Sequence, residues 1–546
     1  MSRLRALLIL IGLWALVYLP GLGSTEIKGE EGRRILPAVT MLETGNWLVP
    51  YVGGEPYLRK PPLVNWLIAI SFKITGVRNE WTARLPSALS VLLLGAFIVM
   101  LSGPGPRRLF TTDTAFIAAL MVMTSFGILA KARFAGAEID GVYVALAGLA
   151  MVSWLAGWRA DRSPWLVWPC AAVFLGLGLL AKGPLHLLFF YAVAAAVLWQ
   201  AREWRWLRHP AHFVALGLML GIFASWGVPY FQAETTSEAG EVWSKQFAGR
   251  VTGSRFDWRH WLLNIPRSLM DQLPWLLFLP VLWRRRHEWT GRDGAWVRGS
   301  GLAVLICFFG LLLIPGVLPR YVLPLGVPFA LLLAMALNGA NSASPRAEVE
   351  WWKRVNGGLA LGLIALAMAA PVAMLVAEKW LVRRTGARMA ELAPLLGWPL
   401  VAAAIVCAFG LFFFLKRRAF SQPAALTGVS TALLGCGLLL YAAAAVPFIN
   451  RADDIRPLAA AIDAAIPAGQ RLVLCDPGYE PAFFYLRTSH AYVSGPDEIP
   501  SDARFVLVRA ERRKKLERSR PDLVVSREFG EEKNSRLLLL QRREGI

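Results

Sequence analysis

The chain has 546 residues, of which 56% are hydrophobic and only 17% are charged, whereas a soluble protein carries about 25% charged residues. Its apolar runs are long enough to cross the roughly 30 Å of hydrocarbon in a bilayer, so the composition excludes an ordinary soluble protein and predicts a polytopic α-helical membrane protein. The formal net charge of +21 does not indicate nucleic-acid binding, because the basic residues stand mostly in short turns between apolar runs, where the positive-inside rule places them.

In chain order, the first apolar run is Ala6–Leu22, which follows Arg3 and Arg5. It has no convincing small-x-small cleavage site, so we expect a retained first span with a cytoplasmic N-terminus rather than a signal peptide. The loop at 23–81 then holds far more charge than a simple connection between two spans needs. We interpret this loop as part of an active site.

Two clusters within the loop favour that interpretation. Glu30 and Glu31 precede a predicted helix at Ile35–Glu43, and acids at a helix start also have an ordinary explanation in the helix dipole. Lys60 stands before two prolines, which restrict its backbone to extended conformations. The direction of its side chain is therefore restricted, and a cation fixed in this way suits a phosphate. The alternative is a lysine whose side chain simply extends to the membrane interface.

About thirteen transmembrane helices are predicted from the apolar runs. The candidate spans are 5–22, 82–102, 113–131, 138–158, 165–181, 184–200, 211–231, 261–283, 299–315, 321–338, 357–378, 396–415 and 424–447. Every second junction is basic, from Arg107-Arg108 to Lys416-Arg417-Arg418, so these junctions are expected inside. The other junctions, including 23–81, then face outward, and so does the C-terminus.

Further charged residues fall at outward positions. Asp140, in the sequence Glu-Ile-Asp, opens the fourth span, where an acid serves a pocket or pairs with a cation such as Arg133. Lys182 occupies a very short outward junction against the general charge asymmetry, which favours a specific anionic partner. Further outward cations are Arg250, Arg255, Arg259 and Arg320, the last followed by Tyr321.

After Pro447 the long apolar runs stop, which predicts a membrane domain at 1–447 and a small soluble extracytoplasmic α/β domain at 448–546. Its predicted elements are a helix at Ile455–Ile466 and strands at Arg471–Cys475, Arg504–Val508, Leu523–Val525 and Leu537–Leu540. The five cysteines and six histidines show no metal-ligand spacing. No metal site or required cofactor is predicted, and dependence on a divalent cation is left open.

The order of the motifs resembles the GT-C class of glycosyltransferases, in particular protein O-mannosyltransferases and lipid A aminoarabinose transferases, which use a sugar carried on a polyprenyl phosphate. The resemblance is dense over roughly residues 20–190. It rests on Glu30-Glu31-Gly32-Arg33-Arg34, Met41-Leu42-Glu43-Thr44-Gly45-Asn46-Trp47-Leu48-Val49-Pro50, Gly54-Glu55-Pro56-Tyr57-Leu58-Arg59-Lys60-Pro61-Pro62-Leu63, Trp81-Thr82-Ala83-Arg84-Leu85-Pro86-Ser87, Asp140, Leu180-Ala181-Lys182-Gly183-Pro184 and Leu318-Pro319-Arg320-Tyr321.

The resemblance implies roles for individual residues. Glu30 takes the place of the catalytic aspartate, and Asp140 that of the second acid, with Glu31 as a further catalytic candidate. Residues that would bind the carrier phosphate are Arg33, Lys60, Lys182 and Arg250, and residues that would border the sugar or lipid are Tyr57, Arg320 and Tyr321. Three positions depart from the family pattern, namely Glu30 for aspartate, Arg34 for tyrosine and Arg59 at a position that is often acidic.

The function implied is an integral-membrane glycosyltransferase of the bacterial inner membrane. It would transfer a hexosyl or pentosyl group from a polyprenyl-phosphate donor to a lipid (lipid A-like), glycan or protein acceptor at the extracytoplasmic face, with membrane lipids as further partners. The alternatives are a flippase for lipid-linked sugars, which needs ionisable residues within its spans, and a non-catalytic member that binds lipid phosphate.

Overall fold

A computed structural model describes the chain except for residues 104, 106–107, 252–257, 339–345, 377–397, 416–421, 453–454, 531–535 and 544–546. Within the described residues, six helices are long and apolar enough to cross a membrane. They are Glu80–Met100, Asp140–Arg159, Pro164–Ala181, Pro210–Gln232, Gly291–Leu312 and the continuous helical stretch Pro423–Ala445. A seventh span arises if Thr112–Thr124 and Phe126–Phe134, which meet at a bend of 57°, are taken together. The prediction of a polytopic helical membrane protein is confirmed.

Other apolar helices are shorter or only partly described. They are Arg3–Tyr18, Leu63–Thr75, Leu185–Ala201, Gly326–Asn338, Arg346–Val376 and Trp398–Leu415. The predicted span at 261–283 is wrong as one continuous helix. The structure has Trp258–Leu262, Asn264–Met270, a 3₁₀ turn at Trp275–Phe278 and Leu279–Arg285 instead. Pro274 and Pro280 account for the breaks before and after the 3₁₀ turn, since proline lacks the N–H that a helix interior requires.

The loop at 23–81 is an ordered substructure. The helix Gly32–Thr44 contains the predicted helix, and it ends at Gly45, whose left-handed backbone (φ 73°) lets its N–H donate to the Met41 carbonyl at 3.0 Å. A hairpin follows, in which Tyr51–Val52 pairs with Glu55–Pro56. The helix Leu63–Thr75 comes next. It was not predicted, because thirteen residues are too few for a span.

The helix Gly32–Thr44 has two buried faces. Ile35 and Ala38 pack in a cluster with Ile68 from the helix Leu63–Thr75. Leu36 packs instead with Phe483 and its neighbours in the C-terminal region. Because one helix contributes to both clusters, the start of the helix, which carries the acids and arginines, is fixed between the membrane helices and the C-terminal region.

The C-terminal region contains a five-stranded mixed sheet. Its strand order is His490–Val493, Leu472–Cys475, Phe505–Arg509, Leu537–Arg542 and Leu523–Phe529, and the first three strands run parallel. The helices Arg456–Ala464 and Arg513–Ser519 accompany it. The predicted helix and four predicted strands are confirmed to within a few residues. His490–Val493 was missed, because its four half-buried residues lack a clear alternation.

The hairpin in the loop contacts this sheet region. A Cβ atom on Gly53, which has a φ of 61°, would lie 2.3 Å from the Gly478 carbonyl oxygen. Only glycine therefore fits at this position, for both its backbone conformation and its close approach. The contact brings residues 476–480 next to the loop.

Candidate active site

A polar cavity of about 230 Å³ lies where the loop meets three membrane segments. The loop contributes Glu30, Arg33, Arg34, Tyr57, Arg59 and Lys60 to its lining, and the membrane segments contribute Glu138, Ile139, Asp140, Lys182, Arg320 and Tyr321. Eight of the ten residues predicted for the site therefore line one cavity. A fully apolar pocket is excluded, and the walls suit an anionic, polar ligand.

Glu30 presents a partly accessible carboxylate to the cavity. Its side chain is 40% exposed, and Oε1 accepts a hydrogen bond from Arg33 Nη1 at 2.7 Å. Nη2 of Arg34 is 4.0 Å from the other carboxylate oxygen. Glu30 stands in a 3₁₀ turn, Gly29–Glu31, that leads directly into the helix Gly32–Thr44. Arg33 thus orients the carboxylate of Glu30, which remains partly accessible from the cavity.

Asp140 and Lys182 form a buried pair at the opposite wall. Lys182 Nζ lies 2.5 Å from Asp140 Oδ1, and the two side chains are 9% and 3% exposed. The ammonium group also lies 5.0 Å from the ring centre of Tyr143 and 4.8 Å from that of Tyr321, within the range of cation–π attraction. The alternative partner considered for Asp140 was wrong, since Arg133 donates to the Pro20 carbonyl oxygen instead. Lys182 is therefore held in a defined position at the cavity.

Glu138 and Arg320 complete this wall. Lys131 Nζ is 2.7 Å from Glu138 Oε2, and Arg320 Nη1 is 3.7 Å from the same oxygen. The buried Nε atom of Arg320 has no hydrogen-bond partner in the part of the chain that the structure describes. Within the described residues, each of the three carboxylates at the cavity contacts a cation.

Glu31 has different surroundings from Glu30. It is buried, and its two carboxylate oxygens each accept a hydrogen bond of 2.8 Å from Arg84, through Nε and Nη2. The backbone N–H of Ala137 donates to it as well, at 3.1 Å. Glu31 does not line the cavity. Its contacts join the loop at 23–81 to the helix Glu80–Met100 and to the turn that precedes Asp140.

Two residues that the sequence analysis did not assign to the site hold the loop that carries Glu30. Arg84 holds Glu31 and donates to the carbonyl oxygens of Leu22, Thr25 and Glu26. An arginine near the end of an apolar span was a usable signal, since such a charge needs partners.

Tyr479 donates its hydroxyl to the Gly29 carbonyl, and its ring stacks on Arg33 at 4.9 Å. Burial raises the pKa of Tyr479, which keeps the hydroxyl a donor. No local sequence pattern identifies Tyr479 as a neighbour of the site.

Other predicted residues lie elsewhere. The Arg250 side chain and all of Arg255 fall outside the described parts of the chain. No group of three or more His, Cys, Asp or Glu side chains that could hold a metal ion occurs in the described residues.

Known proteins are similar to this chain in sequence and in fold. The family model described as dolichyl-phosphate-mannose-protein mannosyltransferase matches residues 59–228. The crystal structure of ArnT from Cupriavidus metallidurans bound to undecaprenyl phosphate superposes with a TM-score of 0.68 and 17% identity, over 98% of this chain and 97% of that one. The resemblance to the GT-C class of polyprenyl-phosphate-sugar glycosyltransferases is confirmed.

Particular relatives have closer sequences. An undecaprenyl phosphate-alpha-4-amino-4-deoxy-L-arabinose arabinosyl transferase of Pseudomonas fluorescens Pf0-1 is 29% identical over 378 residues, which cover 67% of this chain and 65% of that protein. The transferase of the same description from Pseudomonas aeruginosa LESB58 is 29% identical over 381 residues, or 68% and 66%. The chain thus spans about two thirds of the length of these curated relatives.

Proposed function

We propose that this protein is an integral-membrane glycosyltransferase that moves a sugar from a polyprenyl-phosphate donor to a lipid (lipid A-like), glycan or protein acceptor. The observation that carries the proposal is the cavity in which the carboxylate of Glu30 faces a wall of cations. The names of the relatives support a polyprenyl-phosphate donor. They favour a pentosyl group over a hexosyl group.

Glu30 is the proposed general base. The acceptor oxygen attacks C1 of the sugar, the bond between C1 and the phosphate oxygen breaks with its electron pair going to the phosphate, and the acceptor proton passes to Glu30. A base must be within hydrogen-bond reach of the proton it takes, and Glu30 is the most accessible of the three carboxylates in the cavity. Attack by the acceptor itself, without a glycosyl-enzyme intermediate, inverts the anomeric configuration.

The cations stabilise the leaving group. Negative charge develops on the carrier phosphate as the sugar departs, and preorganised cations lower the free energy of that transition state. Lys182 is fixed by Asp140 and two aromatic rings, so it needs little reorganisation to receive the phosphate. Lys60 and Arg33 line the same cavity. Asp140 acts through Lys182 and is a positioning residue.

We also propose the orientation that the charge pattern predicts. The cavity opens at the extracytoplasmic face of the bacterial inner membrane, the N-terminus is cytoplasmic, and the chain crosses the membrane about thirteen times. Residues 1–447 form the catalytic domain and 448–546 the extracytoplasmic α/β domain. The contacts of Tyr479 and Gly478 with the loop support a place for the C-terminal region on the same side as the cavity.

The test is release of polyprenyl phosphate. Purified full-length protein is incubated with radiolabelled polyprenyl-phosphate sugars and candidate acceptors, and Glu30→Gln is expected to lower release by at least about a hundredfold, as loss of a general base does. Glu43→Gln is the matched control, because Glu43 lies on the adjoining helix, outside the cavity, and pairs with Arg78.

Each result decides between the candidates. Release that survives Glu30→Gln contradicts the assigned base. Absence of release with every donor contradicts the transferase and favours the non-catalytic member or the flippase, which movement of a labelled lipid-linked sugar across reconstituted vesicles would then separate.

A further inference from the structure

Arg34 is a buried guanidinium for which the described residues offer no hydrogen-bond acceptor. The residue is 3% exposed, and Nε and Nη1 have no partner. The nearest carboxylate, that of Glu30, is 4.0 Å from Nη2, which is too long for a hydrogen bond. Below the guanidinium lies the ring of Tyr57, 5.0 Å from its centre. Burial of N–H groups that make no hydrogen bond is unfavourable, and among the described residues Glu30 is the one carboxylate that pairs with this arginine, so an anionic ligand would stabilise it.

The charged residues that line the cavity also favour a further anionic ligand. Among the described residues, six cations line it, namely Arg33, Arg34, Arg59, Lys60, Lys182 and Arg320, against the three carboxylates Glu30, Glu138 and Asp140. A sugar joined to a polyprenyl phosphate is a phosphodiester with one negative charge. After departure, the phosphate carries about two at most. The carrier phosphate alone therefore leaves the excess of three cations only partly balanced.

The position of Arg34 identifies which part of a substrate carries the missing charge. Arg34 follows Glu30 by four residues, and Nη2 lies beside the carboxylate. A group bound there is next to the base and to the reacting atoms, and so belongs to the sugar or to the acceptor rather than to the lipid tail. A guanidinium presents paired N–H groups in a planar fork, which matches a carboxylate or a phosphate and repels an ammonium group.

We propose that the cavity binds a second anionic group, a carboxylate or a phosphate, beside the carrier phosphate, and that Arg34 binds it. The inference rests on the proposed function, because it places this group relative to a carrier phosphate. It narrows the substrates to those in which the donor sugar is acidic or the acceptor is anionic near the reacting oxygen.

The first experiment varies the donor. Three synthetic polyprenyl-phosphate sugars share one ring and differ only in bearing a hydroxymethyl, a carboxylate or an amino substituent. Equilibrium binding is measured for the full-length protein in nanodiscs, for Arg34→Gln, and for Arg78→Gln, which removes an exposed arginine outside this cavity. If the sugar carries the anion, the carboxylate donor binds about tenfold tighter than the neutral one, as expected for a charge-assisted pair. Arg34→Gln, but not Arg78→Gln, removes this difference.

The second experiment varies the acceptor. Protein saturated with polyprenyl phosphate is titrated with glucosamine 6-phosphate and with glucosamine. If the acceptor carries the anion, the phosphorylated sugar binds about tenfold tighter, again only with Arg34 in place. Should Arg34→Gln fail to fold, Arg34→Lys keeps the charge without the planar fork, and the preference is then expected to fall severalfold.

The outcomes are separable. A preference for the anionic probe in either arm that depends on Arg34 supports the proposal and identifies its source. Equal binding of charged and neutral probes in both arms, or a preference that is unchanged when Arg34 is replaced, overturns it. Failure of the wild-type protein to bind polyprenyl phosphate at all contradicts the proposed function instead.

Discussion

Glu30 and Glu31 are neighbours in sequence with opposite surroundings. The 3₁₀ turn at Gly29–Glu31 sends the two side chains in different directions. One carboxylate enters the cavity half-exposed, and the other is buried against Arg84. The two adjacent acids therefore differ in burial and in hydrogen bonding, which fits one as the proposed base and the other as a residue that holds the loop in place.

This contrast predicts different effects on stability. Glu31→Gln removes the charge from a buried bidentate pair and leaves Arg84 uncompensated, so we expect it to destabilise the protein by about 3–5 kcal/mol. Glu30→Gln breaks a half-exposed pair and is expected to cost about 1 kcal/mol or less. Thermal unfolding in detergent, followed by tryptophan fluorescence, measures both. Equal shifts in the two variants would contradict the separation of roles.

Among the elements, the turn that carries Glu30 depends on a distant part of the chain. The Tyr479 hydroxyl donates to Gly29, 450 residues away, and its ring contacts Arg33. A second tyrosine of the same region, Tyr485, accepts from the Ile27 N–H at 2.9 Å and donates to Glu80 at 2.9 Å. Both tyrosine hydroxyls thus join the C-terminal region to the loop, and of these two only that of Tyr479 adjoins the proposed base.

The two tyrosines make a matched pair of variants. Tyr479→Phe and Tyr485→Phe each remove a hydroxyl that joins the C-terminal region to the loop, at about 0.5–1.5 kcal/mol per hydrogen bond. Only Tyr479→Phe is expected to lower kcat, on the order of tenfold, because displacement of a reacting group by 1 Å costs about a hundredfold in rate. Turnover and thermal unfolding are compared side by side. A similar loss of kcat in both variants would indicate a general effect of loosened docking.

At the scale of the whole molecule, the charge pattern and the contacts of the C-terminal region favour the proposed topology. In the proposed orientation, Ser501 in the C-terminal region is extracytoplasmic, and Arg162, between two membrane helices, is cytoplasmic. Both residues are exposed, which makes them suitable for labelling.

Cysteine labelling tests this topology. In intact spheroplasts, a membrane-impermeant maleimide is expected to label Ser501→Cys, whereas Arg162→Cys is labelled only after lysis. The parent chain gives the background from its own cysteines. The reverse pattern would place the cavity on the cytoplasmic side and exclude the proposed site of transfer.

The sequence by itself determined the membrane class, most of the helices, four of the five strands of the C-terminal sheet and most of the charged residues that the loop contributes to the cavity. These features depend on hydropathy and on residues close together in the chain, such as Glu30 with Arg33. Proline breaks within 258–285 were the main error among the helices, because an apolar run does not reveal whether its prolines divide it.

Only the tertiary structure decided which charges meet. Lys182 pairs with Asp140 across 42 residues, Arg84 with Glu31 across 53, and Tyr479 reaches Gly29 across 450. Among the described residues, it also offers no hydrogen-bond acceptor to Nε and Nη1 of Arg34 at the wall of the cavity. A buried charge is stable only where the fold supplies a partner, because its burial alone costs free energy. Which residues become partners therefore depends on the packing of the complete fold rather than on a local sequence pattern.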